Sequence, residues 1–287
     1  MPNTVIQLAM GQMRVEGGQP DRNLPRAVEM IRAAAAEACR IIVLPECLDL
    51  GWTHPSARRL AQPIPGPTSD VLCRAAAEAG TYVVAGLTER DAQRIYNAAL
   101  LIAPDGRILL KHRKINVLDI AQDLYATGDR LAVVRTPLGT IGVNVCADNF
   151  PDSLSLGHAL ARMGAQVLLS PCAWAVEAHH DNARQPYGQL WRDSYGILAR
   201  LYEMPVVGVS NVGRLTEGPW KGRKCIGCSL AVGAEGEVLA EAPYGEDAER
   251  LLVVELSLTP RRATGTAIAE MLARKGYQGP PHLGQIS

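Results

Sequence analysis

Apolar positions along this chain follow two alternating rhythms: short β-branched runs, and longer stretches with a helical repeat. Residues 5–10 and the run Ile41-Ile42-Val43-Leu44 have the composition of buried strands, and Pro45 closes the second. Between them Leu24, Val28, Ile31 and Ala35 put an apolar stripe on a helix over 21–39. Ser69 is expected to cap a helix that stops at Gly80. Residues 81–85, 95–102 and 107–110 read as strands, the last two joined by the turn Pro104-Asp105-Gly106. Strands at 133–134 and 141–145 flank Pro137-Leu138-Gly139, after which Pro151 starts a helix ending near Gly164 and leading to a strand at 166–169. A longer helix over about 184–202 aligns Tyr187, Trp191, Tyr195, Leu198 and Tyr202. Strands at 206–209, 228–232 and 251–254 follow. This alternation predicts an α/β fold with helices outside a strand-rich core. No linker or short repeat breaks it. We therefore expect one domain over 1–287, with its core at about 4–257 and a tail, 258–287, packing on a neighbour or a partner subunit.

Composition narrows the function. With 287 residues, 47% of them hydrophobic, the chain has enough apolar material for a substantial core. Its 29 basic residues balance its 29 acidic ones, so it lacks the long-range field that nucleic acid or an anionic membrane surface would need. The densest basic run, Lys111-His112-Arg113-Lys114, is too short to change that. No apolar run approaches the roughly 20 residues of a membrane span, and Met1-Pro2-Asn3-Thr4 does not open a signal peptide. Seven scattered cysteines, an odd number, fit reduced thiols in a cytoplasmic protein.

Three reactive side chains then share one context. Glu46 follows the strand ending Leu44-Pro45, Lys114 follows the strand at 107–110, and Cys146 follows Ile141-Gly142-Val143-Asn144-Val145. Groups just past strand ends lie where α/β sheets expose a ligand crevice, and the strand–Cys–helix passage has the outline of a nucleophile elbow. A free thiol, with pKa of about 8.5, is mostly protonated at neutral pH. A carboxylate in reach can take its proton and return it to a departing amine, while an ammonium favours thiolate and oxyanion. A thiol so activated is expected to react at lower pH than the other six. Taken singly, each residue has a plainer reading: core cysteine, solvated loop glutamate, surface lysine.

Taken with their flanks, they resemble the nitrilase superfamily of carbon–nitrogen hydrolases. The matching segments are Arg40-Ile-Ile-Val-Leu-Pro-Glu46, Gly106-Arg-Ile-Leu-Leu-Lys-His-Arg-Lys-Ile115 and Thr136-Pro-Leu-Gly-Thr-Ile-Gly-Val-Asn-Val-Cys-Ala-Asp148. Asn97-Ala-Ala-Leu, Tyr125-Ala-Thr-Gly-Asp129, Gly164-Ala-Gln-Val-Leu-Leu-Ser-Pro171 and Val209-Ser-Asn-Val-Gly213 follow the same order, so the likeness covers about residues 4 to 257. It implies Glu46 as general base, Lys114 as the cation stabilising the intermediate and Cys146 as nucleophile. It also implies an α-β-β-α sandwich, a homodimer or higher homo-oligomer, and no metal or organic cofactor. Many members carry a second active-site glutamate between the lysine and the cysteine. The segment 115–125 holds no Glu, only Asp119 and Asp123, and we take Asp119 as the stand-in.

For the substrate, nitrile-cleaving members commonly follow the nucleophile with Trp-Glu, whereas this chain has Ala147-Asp148, closer to the amidase and carbamoylase branches. The expected substrate is a small amide or N-carbamoyl compound, with nitrile hydrolysis or acyl transfer as alternatives. Ala147, Trp174 and Asn211 are substrate-binding candidates, with Trp220 behind them; Trp174 reads equally well as a packed aromatic. The pair Cys225 and Cys228 could suggest zinc, with Cys172 or His179-His180 as further donors, but a lone C-x-x-C has no sequence-paired second half, so no metal site is expected. A catalytically silent interaction protein on the same scaffold is the alternative from another class.

Overall fold

The computed structural model describes residues 4–260 and 263–279. Its first sheet orders six strands as β15-β1-β2-β3-β4-β5: β1 is Thr4–Gln12, β2 Ile41–Val43, β3 Tyr82–Asp91, β4 Arg94–Ile102, β5 Ile108–Arg113 and β15 Arg250–Leu258. The second sheet runs β14-β13-β10-β8-β7-β6: β6 is Val133–Thr136, β7 Gly139–Val143, β8 Val167–Cys172, β10 Val206–Ser210, β13 Leu230–Val232 and β14 Val238–Glu241. A small third sheet joins β9 (Ala175–Val176), β11 (Val212–Arg214) and β12 (Lys224–Ile226).

Period-two alternation decides what lies on each side of the first sheet. Ile6, Leu8 and Met10 of β1, Ile41 and Val43 of β2, and Tyr82 and Val84 of β3 share one cluster with Ile141, Val143, Val167 and Leu169 of the second sheet. The alternate residues Ala9, Ile42, Val83 and Ala85 pack on Ala27, Ile31 and Ala34 of α1 (Pro20–Ala36) and on Leu72, Ala75 and Ala76 of α3 (Pro67–Ala79). A single turn, α2 (Ala57–Leu60), precedes α3. On the far side of the second sheet lie α4 (Leu154–Arg162) and α5 (Gln189–Tyr202), with Leu160, Trp191, Tyr195 and Leu198 buried. The expected α-β-β-α sandwich is the fold.

The two sheets repeat one another. Read from β15 and from β6, neighbouring strands are antiparallel, parallel, parallel, antiparallel, antiparallel in both. The parallel pairs are those bridged by α1 and α3 in one sheet and by α4 and α5 in the other, as parallel crossovers require. Strand direction is set by hydrogen-bond pairing, so residue identities alone did not reveal this duplication.

Several boundaries move. The buried stripe of α1 is Asn23, Ala27, Ile31 and Ala34, one residue off the expected set. Asn23 can be buried because its amide bonds both the N–H and the carbonyl of Glu16 and the carbonyl of Asp49. Gly66, not Ser69, precedes α3; Ser69 stands inside the first turn, its hydroxyl accepting the Gly66 N–H at 2.9 Å. β5 reaches Arg113 rather than 110, α5 begins at Gln189 rather than 184, and Cys228 falls outside β13. The described part of the tail packs on a neighbouring element of its own chain: α6 (Thr266–Arg274) buries Ile268 and Leu272 in the cluster shared with α5, and Lys275 donates to Arg200 O and Glu203. Residues 280–287 lie outside those described.

The first sheet also fixes the turn that carries Glu46. Gly86 of β3 donates to Pro45 O at 3.0 Å and accepts from Leu48 N at 2.9 Å. A Cβ at Gly86 would stand 2.5 Å from the Glu46 Cα and 2.7 Å from Pro45 O, both backbone. Gly86→Ala should therefore push Glu46 out of place. We expect at least about a tenfold fall in kcat with most of the fold retained, since misplacement near 1 Å is costly in a reacting geometry. Parallel circular dichroism and kinetics would check it.

Candidate active site

Three strand ends meet at one cavity of about 330 Å³. Glu46 lies three residues beyond β2 and Lys114 directly beyond β5, both in the first sheet, whereas Cys146 follows β7 of the second. The Glu46 N–H donates to Cys172 O at the end of β8, tying the two sheets together beside the cavity. Cys146 opens a one-turn 3-10 helix, Cys146–Asn149, with φ of +46°. That left-handed conformation costs a non-glycine residue about 1–3 kcal/mol and is typical of functional turns. The Ser170 hydroxyl holds it by accepting the Cys146 N–H at 2.9 Å.

The pleat of β5 sorts the basic run. Lys111 and Arg113 point to one face and both bind Glu89. His112 is buried on the other face, and Lys114, next past the strand, is buried as well. Lys114 Nζ donates to Glu46 Oε1 at 2.7 Å, with the two side chains 3% and 1% exposed. Asn97 Nδ2 donates to the same oxygen at 2.5 Å, while Glu46 Oε2 has no partner. Burial alone would lower the lysine pKa, but the Glu46 carboxylate and the Cys146 sulfur outweigh it, and Lys114 stays firmly protonated.

The Cys146 thiol is pushed well above its ordinary pKa, first by burial, then by contact with Cys172 and by the charge of Glu46, with Lys114 opposing. Burial thus works against the expected ionisation at lower pH than the other six thiols, and the Lys114 ammonium that would favour thiolate is already matched by the Glu46 carboxylate.

Asp148, fully buried, clamps the lysine loop to the cysteine turn. Its Oδ1 accepts the N–H groups of Ile115 and Asn116 at 3.1 and 2.7 Å, and its Oδ2 accepts the Val145 N–H at 2.9 Å and pairs with His112 Nε2 at 2.8 Å. Burial raises its pKa, but His112, the Asn116 N–H and Lys114 more than reverse this and hold it below the usual carboxylate value. Asp119, by contrast, is exposed on the turn Asp119–Ala121, where its carboxylate takes only a hydrogen bond from Gln122. Asp123 is exposed too, and neither lines the cavity. The 3-10 turn sends Ala121 inward and Asp119 outward, and spacing could not show this.

Ala147 and Trp174 do line the cavity, with Trp220, as do Phe150, Tyr187 and Trp191. Asn211 does not: it borders a separate void of about 10 Å³ with Trp52 and Cys225. Sequence reasoning missed Asn97, Ser170, Asp148 and His112 as partners of the site. All four stood in motif segments without a role at the site, which only the fold supplied. Cys225 is buried in β12 and Cys228 beyond it, both thiols raised to about 12, chiefly by burial. Among the described residues no three His, Cys, Asp or Glu side chains come together to hold a metal.

Asp148→Ala would leave three backbone N–H groups and an imidazole without their acceptor. At about 1–3 kcal/mol per stranded donor, we expect a loss of at least about 3 kcal/mol in urea unfolding. Because the folded pKa is depressed, the stabilisation from Asp148 is full above the ordinary carboxylate value, about pH 4, and is lost as pH falls through the folded value. Stability curves of wild type and variant should therefore converge in acid.

Comparison with known proteins agrees with this geometry. The family described as Carbon-nitrogen hydrolase matches residues 7–265. A nitrilase of Pyrococcus abyssi is 30% identical over 88% of this chain and 90% of its own. An omega-amidase of Xenopus laevis is 32% identical over 59% of this chain, and the match spans 64% of that relative's length. Among solved structures, a carbon-nitrogen hydrolase of Helicobacter pylori superposes with a TM-score of 0.81 at 21% identity, covering 99% of this chain and 97% of that one. An amidase of Nesterenkonia, with acrylamide added at its active-site cysteine, gives 0.73 at 19% identity, covering 87% and 92%. The sandwich, the strand-end trio and the match across nearly the whole described chain together show that this protein belongs to the carbon–nitrogen hydrolase family, the nitrilase superfamily.

Proposed function

We propose that this chain hydrolyses the carbon–nitrogen bond of a small amide or N-carbamoyl compound through a thioester on Cys146. One observation carries the reading: a buried Glu46–Lys114 pair shares a cavity with the Cys146 thiol. Glu46 takes the thiol proton as the sulfur attacks the carbonyl carbon. Lys114 and the Ala147 N–H face the oxyanion, for which one desolvated donor typically contributes about 3–4 kcal/mol. The carbon–nitrogen bond breaks as Glu46 returns the proton to the leaving ammonia or amine. Water, deprotonated by the same carboxylate, then cleaves the thioester, and acid and free thiol result. Water is the only co-reactant, so no metal or organic cofactor enters.

Neither Asp119 nor Asp123 fills the place of the second acid; Asp148, beyond the cysteine, acts on Lys114 through the backbone it clamps. Trp174 and Ala147 contact the substrate. The amidase reading is supported by the omega-amidase relatives, and a cysteine nucleophile by the Michael adduct of acrylamide at the active-site cysteine of a mutant Nesterenkonia amidase. Nitrile hydrolysis, suggested by the Pyrococcus relative, and acyl transfer to an amine would use the same trio. The intact trio weighs against a silent scaffold. No helix among the described residues is long and apolar enough to cross a membrane, and all seven cysteines are free, which supports a reducing, cytoplasmic setting. Exposed Met163, Leu190 and Ile197 support assembly into a homodimer or larger oligomer.

Ammonia release across amides, ureido acids and nitriles tests the reaction class. Cys146→Ala should abolish turnover with the fold intact, and wild-type activity in that variant would refute the mechanism. Lys114→Ala and Glu46→Gln should each lose at least about 10²-fold in kcat. The reactive ionisation is lost only as pH rises through the elevated Cys146 pKa. On substrates that do not titrate, kcat/KM should therefore stay level from neutrality to about pH 9, and a descending limb near pH 8.5, the free thiol value, would contradict it.

A further inference from the structure

We infer that the acyl part of the substrate is uncharged and aromatic or otherwise bulky and apolar, so that the enzyme discriminates against amides bearing a free carboxylate. This rests on the amide hydrolysis proposed above. The chain has four tryptophans and one phenylalanine, and all five line the cavity: Trp52, Phe150, Trp174, Trp191 and Trp220. Trp174 and Trp191 also belong to the core between sheet and helix, and Trp52 to a smaller apolar cluster, so the wall is anchored from behind. Trp174 stacks on Trp191 with centroids 4.8 Å apart and planes 21° from parallel, and Phe150 meets the other side of the group at 5.4 Å from Trp191. Trp220 meets Trp52 edge to face at 4.9 Å. Ring faces of this kind favour another ring or an apolar chain. A cavity of about 330 Å³ sits at the small end of ligand sites, which run to roughly 1,000 Å³, so it suits a small molecule.

The charges on the wall point the same way. Among the described residues the only carboxylate lining the cavity is Glu46 and the only ammonium is Lys114, and they bind each other. No described arginine lines it. Arg223 stacks on the Trp220 ring at 4.0 Å but is paired with Glu177, and Arg192 is paired with Glu241. A carboxylate carried in by the acyl group would lose water without gaining a cation, and that burial is strongly unfavourable. The feature closest to an anion site is the start of α5 at the rim, where Gln189 and Leu190 are exposed and the helix dipole is weakened by solvent.

The test uses the whole chain at pH 8, which keeps imidazole charge out of the comparison. Phenylacetamide and 3-phenylpropionamide are compared with succinamate and glutaramate, the monoamides of dicarboxylic acids. The neutral aryl amides should show at least about 10²-fold higher kcat/KM. Equal or better turnover of the carboxylated amides would overturn the inference while leaving amide hydrolysis standing. If no amide is hydrolysed, the proposed function fails, and binding still decides the present point. In Cys146→Ala, phenylacetamide should quench tryptophan fluorescence at concentrations where succinamate has no effect, and tighter quenching by succinamate would overturn it.

Discussion

The buried ion pair between Lys114 and Glu46 is the constraint around which this molecule is arranged. Removing two charges from water costs several kcal/mol per ion, and the mutual attraction of a buried pair often only breaks even against an apolar replacement. Stability is therefore a poor reason for it. The pair is kept in place from several sides: Asn97 donates to the same carboxylate oxygen, Gly86 fixes the turn beneath Glu46, and the β4–β5 ladder continues through the Lys114 N–H to Asn97 O. What the arrangement leaves over is informative. One glutamate oxygen has no partner, and burial above all pushes the Cys146 thiol up, so the carboxylate proposed as base has accepting capacity to spare.

Both charged groups come from one sheet and the sulfur from the other, so the site exists only because the two sheets are packed face to face. The apolar alternation of β1, β2 and β3 against β7 and β8 thus sets how far Cys146 stands from Glu46, the proposed nucleophile and base. Asp148 works at the same seam. Placed two residues after Cys146, it collects the backbone N–H groups that follow Lys114, so the cysteine turn and the lysine loop move as one body. A side chain that touches no reacting atom can in this way decide whether the reacting atoms meet.

The cavity wall shows division of labour within a small aromatic supply. The interior of the sandwich is filled mostly by Val, Ile, Leu and Ala, which suit a pleated surface, and the tryptophans and the phenylalanine all reach the cavity wall, Trp174 and Trp191 from the core behind it. The tyrosines are shared between wall and core: Tyr187 meets the cavity and bonds the Trp191 indole, while Tyr195 lies deep behind it.

Much of this was legible in the chain itself. Period-two and helical rhythms gave the strands and helices to within a few residues, because burial on one face is a local demand on residue type. The strand-end positions of Glu46, Lys114 and Cys146, with their flanking segments, gave the trio and the family. The duplication of the sheets could not be read, since strand direction depends on pairing between distant segments. Nor could the roles of Asp119 and Asp148, two similar acids that backbone turns send to opposite environments, one to solvent and one between two loops. The sequence by itself determined which side chains are available and roughly where along each element they fall. Only the tertiary structure decided which of them share a cavity and which charges neutralise one another, because those depend on distances and burial between residues far apart in the chain.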